Sequence, residues 1–224
     1  MEFHHVSILL EPCLTALEIK PDGVYVDATT GGAGHSLRIA ERLHDSGRLI
    51  CIDRDDEALE NAKERLKDVW QRVTAVKSDF RELDKVLESL GLPGADGILF
   101  DLGVSSPQLD HAERGFSYMQ DAPLDMRMDR AQKLTAYDVV NTWSREEIRR
   151  ILFEYGEERY APLIAAAIER ERDKKPIETT LELVDVIKSA MPAKAKREKQ
   201  HPAKRSFQAI RIAVNDELGA VREA

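Results

Sequence analysis

VYVDATTGGAGH, residues 24–35, decides the fold. Val24-Tyr25-Val26-Asp27-Ala28 is a short apolar run with β-branched residues, the composition of a strand buried on both faces. Gly31, Gly32 and Gly34 follow almost at once. Glycines there let a ligand lie directly on the backbone, and the helix that follows offers free amide groups.

Working outward, two periods alternate. Leu37 to Leu43 has helical spacing, and Arg48 to Asp53 is a second buried strand. Asp55 to Leu66 is helical, with Ala58, Leu59, Ala62 and Leu66 on one side. Val73 to Val76 is a third strand, and Glu82 to Leu90 a helix with Leu83, Val86, Leu87 and Leu90 in step. Ile98 to Leu102 is a fourth strand. Apolar strands separated by amphipathic helices predict an α/β fold, a parallel sheet covered on both faces.

In such sheets ligands sit at the carboxyl ends of the strands. Those ends read Asp27 to His35, Asp53, Ser78-Asp79-Phe80 and Asp101-Leu102-Gly103. Asp53 stands about twenty residues beyond the glycine loop, where a carboxylate accepts hydrogen bonds from ribose hydroxyls. The dinucleotide pattern G-x-G-x-x-G/A is not met, because Gly32-Ala33-Gly34-His35-Ser36-Leu37 lacks the third glycine. Asp27 beside the loop would repel a pyrophosphate and suits a cation. S-adenosylmethionine carries an ammonium and a sulfonium and no phosphate, so charge favours it over NAD. Asp79 with Phe80 fits the same ligand, as an acid or backbone amide for the adenine amine and a ring for its face. Plainer roles stand beside these: Asp27 as a cap on the loop amides, Phe80 as core.

From about Ser106 strands disappear. Pro123 to Arg130 is a loop rich in Met and Asp. Ser144-Arg145-Glu146-Glu147 is a capping box opening a helix to about Tyr155, and Thr179-Thr180-Leu181-Glu182 opens one that ends before Pro192. Pro162 suits the first turn of the helix between them, which runs to about Arg172. The last segment places Phe207, Ile210, Val214, Leu218 and Val221 on one helical face. It has no stop signal, and four strands are few for a doubly wound sheet, so the sequence reads as cut short.

The formal charge of -8 argues against a chain that coats nucleic acid nonspecifically. One stretch, AKAKREKQHPAKR at 193–205, is clearly basic, through Lys194, Lys196, Arg197, Lys199, Lys204 and Arg205. It is the expected contact for an RNA backbone, with a solvated linker as the alternative. Two lone cysteines, Cys13 and Cys51, and no apolar run of spanning length fit a cytoplasmic protein. Six scattered histidines give no metal-ligand spacing.

Longer motifs carry a resemblance. They are Thr30 to Ser36, Ile52 to Asp55, Asp101 to Asp110, Glu113 to Met119, Pro123 to Asp129, Tyr155 to Arg159 and His201 to Ile212, with His5 upstream. Together they closely resemble the MraW family, the ribosomal RNA small subunit methyltransferases H, over the whole chain. The resemblance implies methyl transfer from S-adenosylmethionine to the exocyclic N4 of a cytidine in the decoding region of small-subunit ribosomal RNA. It implies a Rossmann-like methyltransferase sheet over 1–105, an all-helical domain inserted over 106–205, and a return to the sheet domain at 206–224. It assigns cofactor contacts to Ala33, Gly34, His35, Asp53, Phe80, Asp101 and Gln108. The family continues past this chain's last helix with further strands.

The cytosine amine is a poor nucleophile, so alignment is the enzyme's main task. The loop after strand four, Asp101 to Ser106, occupies the place where DNA amino-methyltransferases keep their catalytic motif. Asp101 and Ser105 are its candidate catalytic residues, and Gly103 permits close approach. Phe116 and Tyr118 are candidates to stack on a flipped-out base, or else they pack between domains. Arg114, Arg127 and Arg130 would hold phosphates or neighbouring acids. A chain that binds cofactor and RNA but turns nothing over is the alternative to an enzyme.

Overall fold

The computed structural model describes residues 7–194 and 199–224. The chain divides into two compact units, residues 1–107 with 219–224, and residues 108–218.

The first unit is built on a parallel sheet of β1 (Val24–Asp27), β2 (Arg48–Asp53), β3 (Val73–Lys77) and β4 (Gly97–Leu99), in the order β3-β2-β1-β4. Val26 lies opposite both Ile50 and Ile98. Successive residues of a strand face opposite sides. Tyr25, Leu49 and Cys51 therefore join one core, with Leu14, Ile39, Leu43 and Leu66, under α1 (Leu10–Ala16), α2 (Gly34–Ala40) and α3 (Asp56–Arg65). Val26, Ile50 and Ile52 join the other, with Val86 of α4 (Leu83–Ser89). Both faces are buried, which is why the strands read as unbroken apolar runs. The fold class is the expected one: α/β, parallel, with helices on both faces.

Strand four is shorter than its sequence suggests. It pairs only with β1, and the last pair in register is Asp27 with Leu99. Past that point Phe100 and Leu102 are exposed, at 40% and 53%. An apolar run continues as a strand only while it has a neighbour to take its hydrogen bonds.

A five-residue helix, α5 (Ser106–Asp110), leads into the second unit, which holds α6 (Ala136–Thr142), α7 (Arg145–Glu154), α8 (Ala161–Arg172), α9 (Thr180–Ala190) and α10 (Lys204–Asn215). The capping boxes at Ser144 and Thr179 form as expected, and a third joins Thr135 to Asp138. The core is aliphatic: Val139, Ile148, Ile151, Ile164, Ile168, Leu183 and Ile187 are each at most 1% exposed. Asn215 ties the Met-rich loop to α10: its Oδ1 accepts from Met128 N at 2.8 Å and its Nδ2 donates to Met126 O at 2.7 Å.

The segment expected to return to the sheet domain divides differently. Asp216, at φ 48, breaks it into α10 and α11 (Glu217–Glu223). Helix α10 packs on α6 and α7 of the second unit, and only residues 219–224 join the first. The apolar stripe of α10 is one that either unit's core could bury, so periodicity alone does not choose between them.

Candidate functional site

The glycine loop after β1 is fastened from several sides. Asp27 is 1% exposed, and each carboxylate oxygen has a donor: Thr29 N–H at 3.2 Å and Ser36 Oγ–H at 2.5 Å. Burial raises its pKa against the pull of those two bonds. The loop-capping role of Asp27 is thus the one seen. Gly31 sits at φ 47, and its N–H donates to Asp53 Oδ2 at 2.8 Å. Asp55 N–H takes the other Asp53 oxygen at 2.9 Å. Burial nonetheless pushes the Asp53 carboxyl up to about 6, opposed by those amides. Arg65 reaches back from the end of α3 to the Gly32 carbonyl at 2.6 Å. A side chain on Gly34 would meet Ser7 Oγ, a hydroxyl that would have to rotate aside. Nothing in the sequence signals Arg65 or Ser36, whose partners lie 33 and 9 residues away.

The other strand ends close round the same edge. Asp79 faces Arg54 at 3.5 Å and Arg81 at 3.4 Å, so its carboxylate is already balanced. Phe80 is half-buried against the Val26–Ile52 core and meets Phe100 edge-on at 5.5 Å. Asp101 N–H donates to Thr29 Oγ1 at 2.6 Å, while its carboxylate, 45% exposed, faces His35 Nδ1 at 3.7 Å. Gly103, at φ 145, has open space where a side chain would stand. The Ser105 Cβ lies 3.3 Å from where a side chain on Gly31 would begin. Ala33, Gly34, His35, Asp53, Asp101 and Ser105 therefore share one end of the sheet, with Phe80 just after β3. Burial is the main cause of the raised Asp27 and Asp53 carboxyls, with Asp101 adding least to the first and Asp27 least to the second, so three acids share this edge.

A family model for the MraW methylase family matches residues 2–224. The chain belongs to the MraW methylase family. The ribosomal RNA small subunit methyltransferase H of Brevibacillus brevis is 58% identical over the full 224 residues, and this chain spans 71% of that relative's length. A proposed rRNA-methylase from Clostridium thermocellum aligns over 45% of this chain and 54% of its own, at 24% identity and a TM-score of 0.40. A methyltransferase from Geobacter sulfurreducens aligns over 34% and 38%, at 27% identity and 0.29.

In this MraW methylase the second unit corrects several expectations about RNA contacts. Phe116 is 5% exposed, with the Arg114 guanidinium 5.7 Å from its ring centre, and offers no open face to a base. Tyr118 stacks on His201 at 4.6 Å and meets Phe207 edge-on, so one of its faces is taken. Arg127 is an internal clasp. It pairs with Asp125 through Nε at 2.8 Å and Nη2 at 2.9 Å, and its Nη1 donates to the carbonyls of Arg130 and Gln132. Those bonds consume the guanidinium that a phosphate would need. Arg114 is 2% exposed and holds the carbonyls of Arg127 and Met128. Arg205 is half-buried and donates to Glu157 O at 3.0 Å, while Lys194, Lys199 and Lys204 are exposed. Gln108 is buried, the first residue of the second unit. His5, Lys196 and Arg197 lie outside the described residues. Among the described residues no metal-binding cluster occurs and no helix is long and apolar enough to cross a membrane.

Proposed function

We propose that this chain binds S-adenosylmethionine at the ends of its strands and methylates the N4 amine of a cytidine in the decoding region of small-subunit ribosomal RNA. The substrate class is the one named for the Brevibacillus relative. The observation that carries the cofactor is the pair Asp53 and Asp101 beside a glycine loop, the first bonded to Gly31 N–H and the second exposed. Such an edge repels a pyrophosphate and attracts a ligand with sulfonium and ammonium groups. When bound, S-adenosylmethionine supplies a methyl group already activated by its positive sulfur.

The residues divide the work. Asp53 has both oxygens on amides yet keeps lone pairs for a ribose diol. The backbone from Gly31 to His35 borders the rest of the ligand, and Phe80 gives the adenine an apolar edge. Asp101, Gly103 and Ser105 line the loop the amine must approach. Of the basic run, Lys194, Lys199 and Lys204 are exposed and free to meet RNA phosphates.

Calorimetric titration tests this, with NAD as control. S-adenosylmethionine binding alone supports the site, and binding of neither by a folded chain removes it. A second reading, a binding fragment without turnover, is favoured by the exposed Ile98, Phe100 and Leu102 beside an edge strand paired on one side. Transfer of labelled methyl into small ribosomal subunits separates the two.

A further inference from the structure

The amine must lose a proton. As the nitrogen–carbon bond forms and the carbon–sulfur bond breaks with its electron pair left on sulfur, the nitrogen becomes positive and one N–H proton has to leave. Four acids among the described residues stand at the strand ends, and Asp79 is paired with Arg54 and Arg81. Asp27 is 1% exposed with a donor on each oxygen, and Asp53 has an amide on each oxygen. Asp101 differs: its backbone N–H, not its carboxylate, makes the bond to Thr29 by donating to Oγ1, and the carboxylate is 45% exposed.

Behind Asp101 sits His35, with a side chain 7% exposed. Its Nε2 is 3.1 Å from the carbonyl oxygen of Ile8. A carbonyl only accepts, so Nε2 carries the hydrogen. In the neutral ring the lone pair is then on Nδ1, the nitrogen that faces Asp101 at 3.7 Å. That distance exceeds a hydrogen bond, but catalytic contacts commonly tighten once ligands bind.

We infer that His35 acts through Asp101 as the second station of a proton path. Asp101 takes the amine proton on its exposed carboxylate and hands it to His35 Nδ1. The resulting imidazolium donates to an acceptor at each end, Ile8 O and Asp101, with the Asp27 carboxylate also within electrostatic reach. Asp101 faces the ring at Nδ1, and Asp27 lies near it on the same edge. This rests on the methyl-transfer reading above and adds a role for the His35 side chain, distinct from a cofactor contact.

The first test needs no turnover. Nitrogen-15 spectra of the histidine-labelled full chain, with His35→Gln to assign the signal, report the tautomer. Hydrogen on Nε2, with an Nδ1 signal that changes in Asp101→Asn, is expected; hydrogen on Nδ1 overturns the path. The second test follows single-turnover methyl transfer to small subunits against pH, with S-adenosylmethionine saturating. His35→Gln keeps a donor for Ile8 O but cannot relay a proton. With S-adenosylmethionine saturating, it should slow transfer on the order of 100-fold and change the shape of the pH profile. An unchanged rate and profile overturns the path. Should the unaltered chain bind no S-adenosylmethionine, the methyl-transfer reading itself fails, an outcome calorimetry separates from the other two.

Discussion

At the scale of single residues, Asp53 gives the sharpest expectation. Its folded carboxyl sits at about 6 against a reference of 3.8, raised by burial. The folded protein therefore binds more protons than the unfolded chain between those values, and the ligand-free fold loses stability as pH rises across the window. Ligand affinity runs the other way, since only the ionised carboxylate accepts from two ribose hydroxyls without surrendering a lone pair. The Kd for S-adenosylmethionine should be flat above about pH 7 and rise toward ten-fold per unit below about 6. Asp53→Asn should bind weakly and show no such slope. Calorimetry across pH 5 to 8 checks both, and a parallel slope in the variant would assign the effect elsewhere. Asp53 was legible because an acid ending an apolar strand demands a partner. Arg127 was legible only as one of two alternatives, a phosphate contact or a partner for neighbouring acids, and Asp125 decides for the second. Its partners Asp125, Arg130 and Gln132 are near in sequence, but a basic residue in a polar loop looks the same whether it turns inward or outward.

Elements were legible where local chemistry sets their limits. Ser144 and Thr179 announce their helices because a glutamate stands three residues on and returns the hydrogen bond. The box at Thr135 escapes that pattern because its partner is Asp138, a shorter acid that closes the same ring of bonds. Thr135→Ala and Ser144→Ala should each destabilise the second unit by about 1 kcal/mol, with Asp138→Asn costing less than Thr135→Ala. Urea unfolding followed by helical circular dichroism measures this. A Thr135→Ala effect near zero would mean that α6 is held by the packing of Ala136, Val139 and Val140 alone. Strand four shows the opposite case. Its length depends on β1 alongside and on nothing beyond, and a neighbour that stops early is invisible in the sequence of the strand it shortens.

Over the whole molecule the two units differ in kind. One core is strands under helices and the other is helices alone, and the chain passes between the units only near residues 107 and 218. Two cores joined at two crossings predict two thermal transitions rather than one. Except for Gln108, every residue assigned to the cofactor lies in the first unit. A ligand that binds only the folded form stabilises it by RT ln(1 + [L]/Kd), about 2.7 kcal/mol at one hundred times Kd. S-adenosylmethionine at that level should thus move one calorimetric transition upward by several degrees and leave the other in place. The capping variants at Thr135 and Ser144 identify the stationary one, because they lower it alone. If both transitions rise together, the units do not unfold independently and the two-transition expectation fails.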